Sequence, residues 1–494
     1  MGANCRRRWS RPGRELVKIS VRETQLFIRN LTLRVPFRYG ITTMTRVPHL
    51  VVRARVELDG RMRQGFAADN LPPKWFTKNP DSEFRDELAD MLEVTQSAAA
   101  LARDLPPAAT IFSWWRQVSQ AQQAWASARG FPPLLSGFGV SLIERAVIDA
   151  FCRATGQTFA HAARTNDFGV HLNEIHPELG SLTPSDLLPA QAARSIIVRH
   201  TVGLADALGP GDEAEGTDDG LPQTLEEFIR DQGLTHFKIK LGGDVEQDRA
   251  RLRQISEVIE RHSPSCAFTL DGNENFRAVE PFRALWEGLW TDPLVAPFLG
   301  GLIFVEQPFH RDVALSAETT ADLLAWPGRP PMIIDESDAS TDSLRLALAG
   351  GYAGTSHKNC KGVFKGLANA CLIEHRRRSN HGQALHISAE DLTNLGPIAL
   401  TQDLAVVATL GIRHAERNGH HYFAGLSQFP DSIQRETLRR HGDLFARYSG
   451  GYPVVRILGG TVDVGSVVDA PFGAGFEPDM AEFTPVEDWK FESL

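Results

Sequence analysis

From Val17 to about Asp69 apolar and polar positions alternate or cluster with β-branched residues, in VKISVRE, FIRNLTLRV and HLVVRARVELDG, which predicts strands with one buried face. Asp59-Gly60 is a hairpin signal leading into RMRQGFAA. The piece between, Pro36 to Pro48 (PFRYGITTMTRVP), is expected to be a loop. Helical stretches follow around 81–103 and 110–129. In LLSGFGVSLIERAVIDAFCRAT, Phe138, Leu142, Ile143, Ala146, Val147, Ala150 and Phe151 recur at helical spacing, a stripe that belongs to a core.

After this the rhythm changes to short apolar strands separated by helical segments: 195–204, 235–242, 267–274, 301–308, 331–338, 354–362, 384–391 and 412–419. Eight strands alternating with helices predict an α/β chain with a (β/α)₈-type, TIM-like barrel. The expected division is a disordered basic arm at 1–16, an α+β capping domain at 17–150, a barrel at 151–449, and a segment at 450–494 returning to the cap. An acidic, Gly-rich segment at 205–223 follows the first barrel strand and reads as a lid or a floppy insertion.

The chain has 494 residues with 42% hydrophobic content, enough for at least one large core and two domains. A net charge of −9 without a basic face excludes nucleic acid as a partner. Five cysteines, Cys5, Cys152, Cys266, Cys360 and Cys371, are widely spaced without a CxxC pair, which fits neither a disulfide framework nor a zinc site and suggests a reducing cytoplasm. No apolar run long enough to span a membrane is present. The expected partner is a small-molecule carboxylate substrate, in a homo-oligomer.

Three consecutive barrel segments each end on a carboxylate: FTLDGNENF carries Asp271, LIFVEQPF carries Glu306, and PMIIDESD carries Asp335 with Glu336 beside it. Converging there, unpaired carboxylates would repel, and a hard divalent ion with oxygen ligands, most simply Mg²⁺, relieves this. Asp335 is favoured over Glu336 as the third ligand. Lys238 and Lys240 of FKIKLGG share one face of a strand, and Lys358 of TSHKNCKG lies farther on, one unit beyond Asp335. Alone, a Lys-X-Lys strand is most often a surface strand. Lysines flanking a metal suggest proton abstraction beside a carboxylate.

Together KxK, LDxN, VEQP, DES and the later lysine resemble the enolase superfamily, and within it the muconate lactonizing enzyme and dipeptide epimerase branch more than the mandelate racemase branch. The latter offers a His–Asp pair where this chain has Lys358. The resemblance implies Asp271, Glu306 and Asp335 as Mg²⁺ ligands, Lys240 and Lys358 as acid/bases on opposite faces of a Mg-stabilised enolate, and Lys238 as the helper that lowers the pKa of Lys240. A free lysine titrates near 10.4, so a base at this site needs like charge nearby. Two lysines permit racemisation or epimerisation; one lysine and a leaving group permit elimination or cycloisomerisation. An acid-sugar dehydratase in which His386 helps the leaving group is the alternative within the superfamily, and a non-catalytic metal- or acid-binding barrel the alternative outside it. His386 is a candidate substrate contact, though a lone histidine has an equally plain structural reading. Specificity is expected from the cap, at Pro36–Pro48 with Tyr39 or a neighbour facing the site, and at Trp75 or Phe76. One departure is Gly362-Val363, where the family usually has a double glycine.

Overall fold

The alternating N-terminal segment forms an antiparallel sheet in the computed structural model, which describes residues 18–212, 219–379 and 384–494. Its long strands are β1 (Ile19–Tyr39), β2 (Thr42–Leu58) and β3 (Arg61–Asn70). The expected loop at Pro36–Pro48 is instead the continuation of β1 and β2, paired through Phe37↔Met44 and Tyr39↔Thr42 around a turn at Gly40 and Ile41. Pro36 misled the reading. It falls in the irregularity between Thr32 and Phe37, where the strand does not need its missing N–H.

Helices α1 (Phe84–Asp104), α2 (Ile111–Ala128) and α3 (Pro133–Thr155) follow, and the apolar stripe of α3 is buried as core. At β3 the helix backbone comes so close that a Cβ on Gly65 would lie 2.0 Å from the Ala146 carbonyl oxygen. Only glycine fits that contact.

Eight parallel strands follow: β4 (Ser195–Val202), β5 (His236–Lys240), β6 (Ala267–Asp271), β7 (Leu302–Glu306), β8 (Met332–Ile334), β9 (Gly354–His357), β10 (His386–Ala389) and β11 (His414–Arg417). They are ordered β10-β9-β8-β7-β6-β5-β4-β11, a curled TIM-like barrel sheet whose edge strands β10 and β11 share no ladder pairing. Arg199 of β4 bridges the seam from inside, donating to Ser388 Oγ (2.7 Å) and Glu390 (2.9 Å) beside β10 and to His414 of β11 (2.8 Å). Outside it, Arg417 at the end of β11 is ion-paired with Asp391.

The tail returns to both sheets. Its strand β12 (Thr461–Asp463) pairs with β4, and β13 (Thr484–Pro485) pairs with β1. The basic arm at 1–16 lies outside the described residues, as do 213–218 of the acidic segment. The flanks of that segment are anchored: Asp206 is half-buried and accepts from Tyr422 Oη (2.8 Å), and Asp219 is forked onto Arg34 of β1 (2.5 and 2.6 Å). No described helix is long and apolar enough to cross a membrane.

Candidate active site

Period-two geometry turns Phe237 and Ile239 outward into the core and Lys238 and Lys240 into the barrel. Lys238 is enclosed, 1% exposed. That burial is possible because its ammonium meets Asp271 (3.0 Å), Glu306 (2.9 Å), Glu390 (2.8 Å) and Glu416 (3.0 Å). Burial alone would depress its pKa, but these anions hold it well above the usual lysine value. Lys240, nearer the mouth, donates to Asp271 at 2.6 Å.

Lys358, directly after β9, donates to Asp335 (2.6 Å) and Glu390 (2.7 Å), and against the opposing effect of burial these carboxylates raise its pKa well above the ordinary value. Its turn is fixed from the cap. Glu144 of α3 accepts from the backbone N–H groups of Val363 (3.0 Å) and Phe364 (2.8 Å), the start of the helix that follows Lys358. The Gln307 carboxamide fixes Asp335 in turn, accepting from Asp335 N (2.7 Å) and donating to Ser337 Oγ (2.7 Å). Lys361 adds a contact to Asp335 at 3.1 Å.

All three predicted ligands are buried here, but in different company. Among the described residues, the carboxylates whose oxygens lie within 4.8 Å of one another are Glu306, Asp335 and Glu390. Asp271 stands one lysine away, its Oδ2 taken by Lys238 and Lys240 and its Oδ1 by Asn273 N (2.8 Å). Glu306 Oε2 is buried with no hydrogen-bond partner. Burial, then Glu390, push the Glu306 pKa well up, while at Glu390 the lysines outweigh burial and push it well down. An orphaned carboxylate oxygen among all-oxygen donors fits a divalent cation. Glu336 accompanies Asp335 at the cavity but is outside that group: its Oε2 has no partner, and burial followed by Asp335 and Glu274 raises it to about 8.

Lys238, Lys240, Lys358, Asp335, Glu336 and Glu416 line a small cavity at the mouth, and Phe37, Tyr39, Pro72 and Trp75 of the N-terminal region cover it. The Tyr39 hydroxyl donates to Pro73 O (2.7 Å), and the Trp75 ring centroid lies 5.2 Å from Lys358 Nζ. Phe76 packs behind on Phe138. His386 is not brought here. It opens β10 opposite Gly354, the first residue of β9, and its ring rests 5.5 Å from Phe304, at the other end of the barrel from the lysines.

Glu390, Glu416 and Arg199 were missed in the sequence. ISAED carries only a weak form of the signal, an acid just past a four-residue strand, and in HAER Glu416 lies inside a strand with no apolar run before it.

No protein-family model and no curated protein match the chain. Solved structures do. A mandelate racemase/muconate lactonizing enzyme from Roseiflexus sp. is 20% identical, with 92% of this chain and 97% of that one covered at a TM-score of 0.56. An enolase from Bradyrhizobium complexed with magnesium and mandelic acid is 14% identical, with 96% and 100% covered at 0.56. A dipeptide epimerase from Enterococcus faecalis V583 complexed with Mg and L-Leu-L-Tyr is 16% identical, with 82% and 92% covered at 0.52. The chain shares the fold of these structures, a barrel covered by a cap.

Proposed function

We propose that this chain is a divalent-metal-dependent enzyme that removes the proton α to a carboxylate and returns a proton to the resulting enolate, as a racemase, epimerase or cycloisomerase. The observation that carries the reading is that Lys240 and Lys358, on strands at different sides of the barrel, line one small cavity with Asp335 and under an apolar cover. A binding protein has no use for two such bases. The dehydratase reading lacks its histidine, since no histidine lines the cavity.

Asp271, Glu306 and Asp335, with Glu390 alongside, are the residues that would hold the metal. A bound Mg²⁺ would supply Lewis-acid stabilisation of negative charge on the substrate carboxylate. Charge balance explains how lysines could serve as bases. Asp271, Glu306, Asp335, Glu390 and Glu416 are matched in this cluster by Lys238, Lys240, Lys358, Lys361 and Arg199. With a further double positive charge among the carboxylates, Lys240 and Lys358 can shed protons without leaving buried anions unpaired. One lysine then abstracts the proton and the other delivers one from the opposite face, while the cap excludes water. Lys238, tied to four carboxylates, stays an ammonium and steadies the array.

A screen of amino-acid derivatives, dipeptides and sugar acids in D₂O with Mg²⁺ tests the proposal. Deuterium should enter at the α-carbon of at least one class, and chelation should stop it. No exchange with any of them counts against enolisation.

A further inference from the structure

The segment Leu71–Asn79 (LPPKWFTKN) is gripped across the boundary between the N-terminal region and the barrel in both directions. From the barrel, Arg311 donates Nη1 to Phe76 O (2.5 Å) and Nη2 to Trp75 O (2.8 Å), while Nε and Nη2 fork onto Glu274 (2.8 and 2.7 Å). From the segment, Lys78 Nζ donates to Asn273 O. Backbone strain gathers on both sides of the grip. Lys74 and Lys78 bracket Trp75 with φ of +58° and +49°, and Asn273 and Glu274 have φ of +44° and +61°. Side-chain-bearing residues keep such conformations where surrounding contacts over-determine them.

The grip decides where Trp75 stands. Its indole walls the mouth cavity and lies over the Lys358 ammonium, 5.2 Å from ring centroid to Nζ. That cavity is about 40 Å³, room for about three waters, so an acid bound there lies against the indole. On the side of the cap the cavity offers little to a hydroxylated substituent: Phe37, Pro72 and Trp75 present apolar surface and the Tyr39 hydroxyl is spent on Pro73 O, whereas Asn273, Thr393 and Asn418 line the barrel side.

We propose that Arg311 is a positioning residue: with Glu274 it latches Trp75 against Lys358, and the indole face so held selects acids bearing a flat apolar group on the carbon that Lys358 faces. The selection rests on the enolising reaction proposed above; the latch does not.

Hydrogen exchange followed by mass spectrometry on the full chain, without substrate, tests the latch. In Arg311→Ala, exchange over 71–79 should accelerate roughly ten-fold or more, because two charge-assisted hydrogen bonds are lost. Arg311→Lys should fall between, since an ammonium cannot fork. Peptides covering β6 and β7 should keep their wild-type rates, which shows that the barrel is folded. Equal rates over 71–79 in all three proteins overturn the latch. Solvent-deuterium uptake tests the selection. Wild type should exchange α-aryl acids faster than polyhydroxylated ones, and Arg311→Ala and Trp75→Ala should each lose about ten-fold of that preference. Their kcat should fall more than KM rises, as expected of misplacement rather than lost binding. Faster exchange of polyhydroxylated acids overturns the selection and leaves the enolising reading standing. Absence of exchange with every acid overturns the enolising reading and the selection together, while the hydrogen-exchange comparison still decides the latch.

Discussion

The Lys358 ammonium donates to Glu390 across 2.7 Å, and Lys238 donates to the same carboxylate oxygen at 2.8 Å. A residue directly after the seventh barrel strand thus ties the second strand to the sixth in the centre of the site. Glu390 has two possible duties, and they predict different behaviour. If it is chiefly the shared counter-ion, Glu390→Gln lowers unfolding free energy by about 3 kcal/mol, the cost of breaking a buried pair, and leaves calorimetric Mg²⁺ affinity within a few-fold. Asp271→Asn, Glu306→Gln and Asp335→Asn should each abolish or strongly weaken Mg²⁺ binding. Loss of binding in Glu390→Gln, with binding retained in Asp271→Asn, would move the metal to the Glu306, Asp335 and Glu390 group.

Buried histidines set an acid limit. Burial holds His49 down at about 4, and His420 and His421 at about 3. An unfolded histidine titrates near 6.5, so below that pH the unfolded chain takes up protons that the folded chain refuses. Stability present above about pH 6.5 is therefore lost as pH falls toward about 3 to 4. In the opposite sense, burial raises Glu144 to about 7 and Asp403 to about 8. Their contribution is full below the ordinary carboxylate pKa and is lost as pH rises through those values. Urea unfolding should show a stability maximum near neutrality, and His421→Asn should flatten the acid limb. An acid limb unchanged by that substitution would exclude His421 as a contributor.

At Gly65 the prediction is steric. A methyl group there meets the Ala146 carbonyl at 2.0 Å and Ala150 N at 2.4 Å, both backbone atoms of α3. Gly65→Ala should cost about 1–3 kcal/mol in denaturant unfolding, or more if α3 cannot shift. A neutral result would mean that α3 sits farther from β3 than described.

Much of this was readable in the chain. All eight barrel strands fall where apolar runs alternate with helical segments, because a parallel strand buried on both faces leaves a run that few other elements leave. Asp271, Glu306 and Asp335 were visible because each closes such a run. Three things were not. Pro36 looked like a breaker, yet a strand irregularity absorbs it. Glu390 follows, and Glu416 lies within, a strand of only four residues, too short for the pattern to mark. The grip of Arg311 on Trp75 and Phe76 is a contact between residues 235 and 236 positions apart, which no local pattern encodes.

Lys240 and Lys358, in the proposed reaction, act on one carbon from opposite faces. The direct test is α-proton exchange in D₂O, with Mg²⁺, on each enantiomer of an active acid, comparing wild type with Lys240→Ala and Lys358→Ala. Each variant should lose racemisation, keep exchange of one enantiomer, and lose the other by a factor of about 10² to 10⁴, with the two variants sparing opposite enantiomers. Equal loss of exchange with both enantiomers in both variants would contradict two-base chemistry.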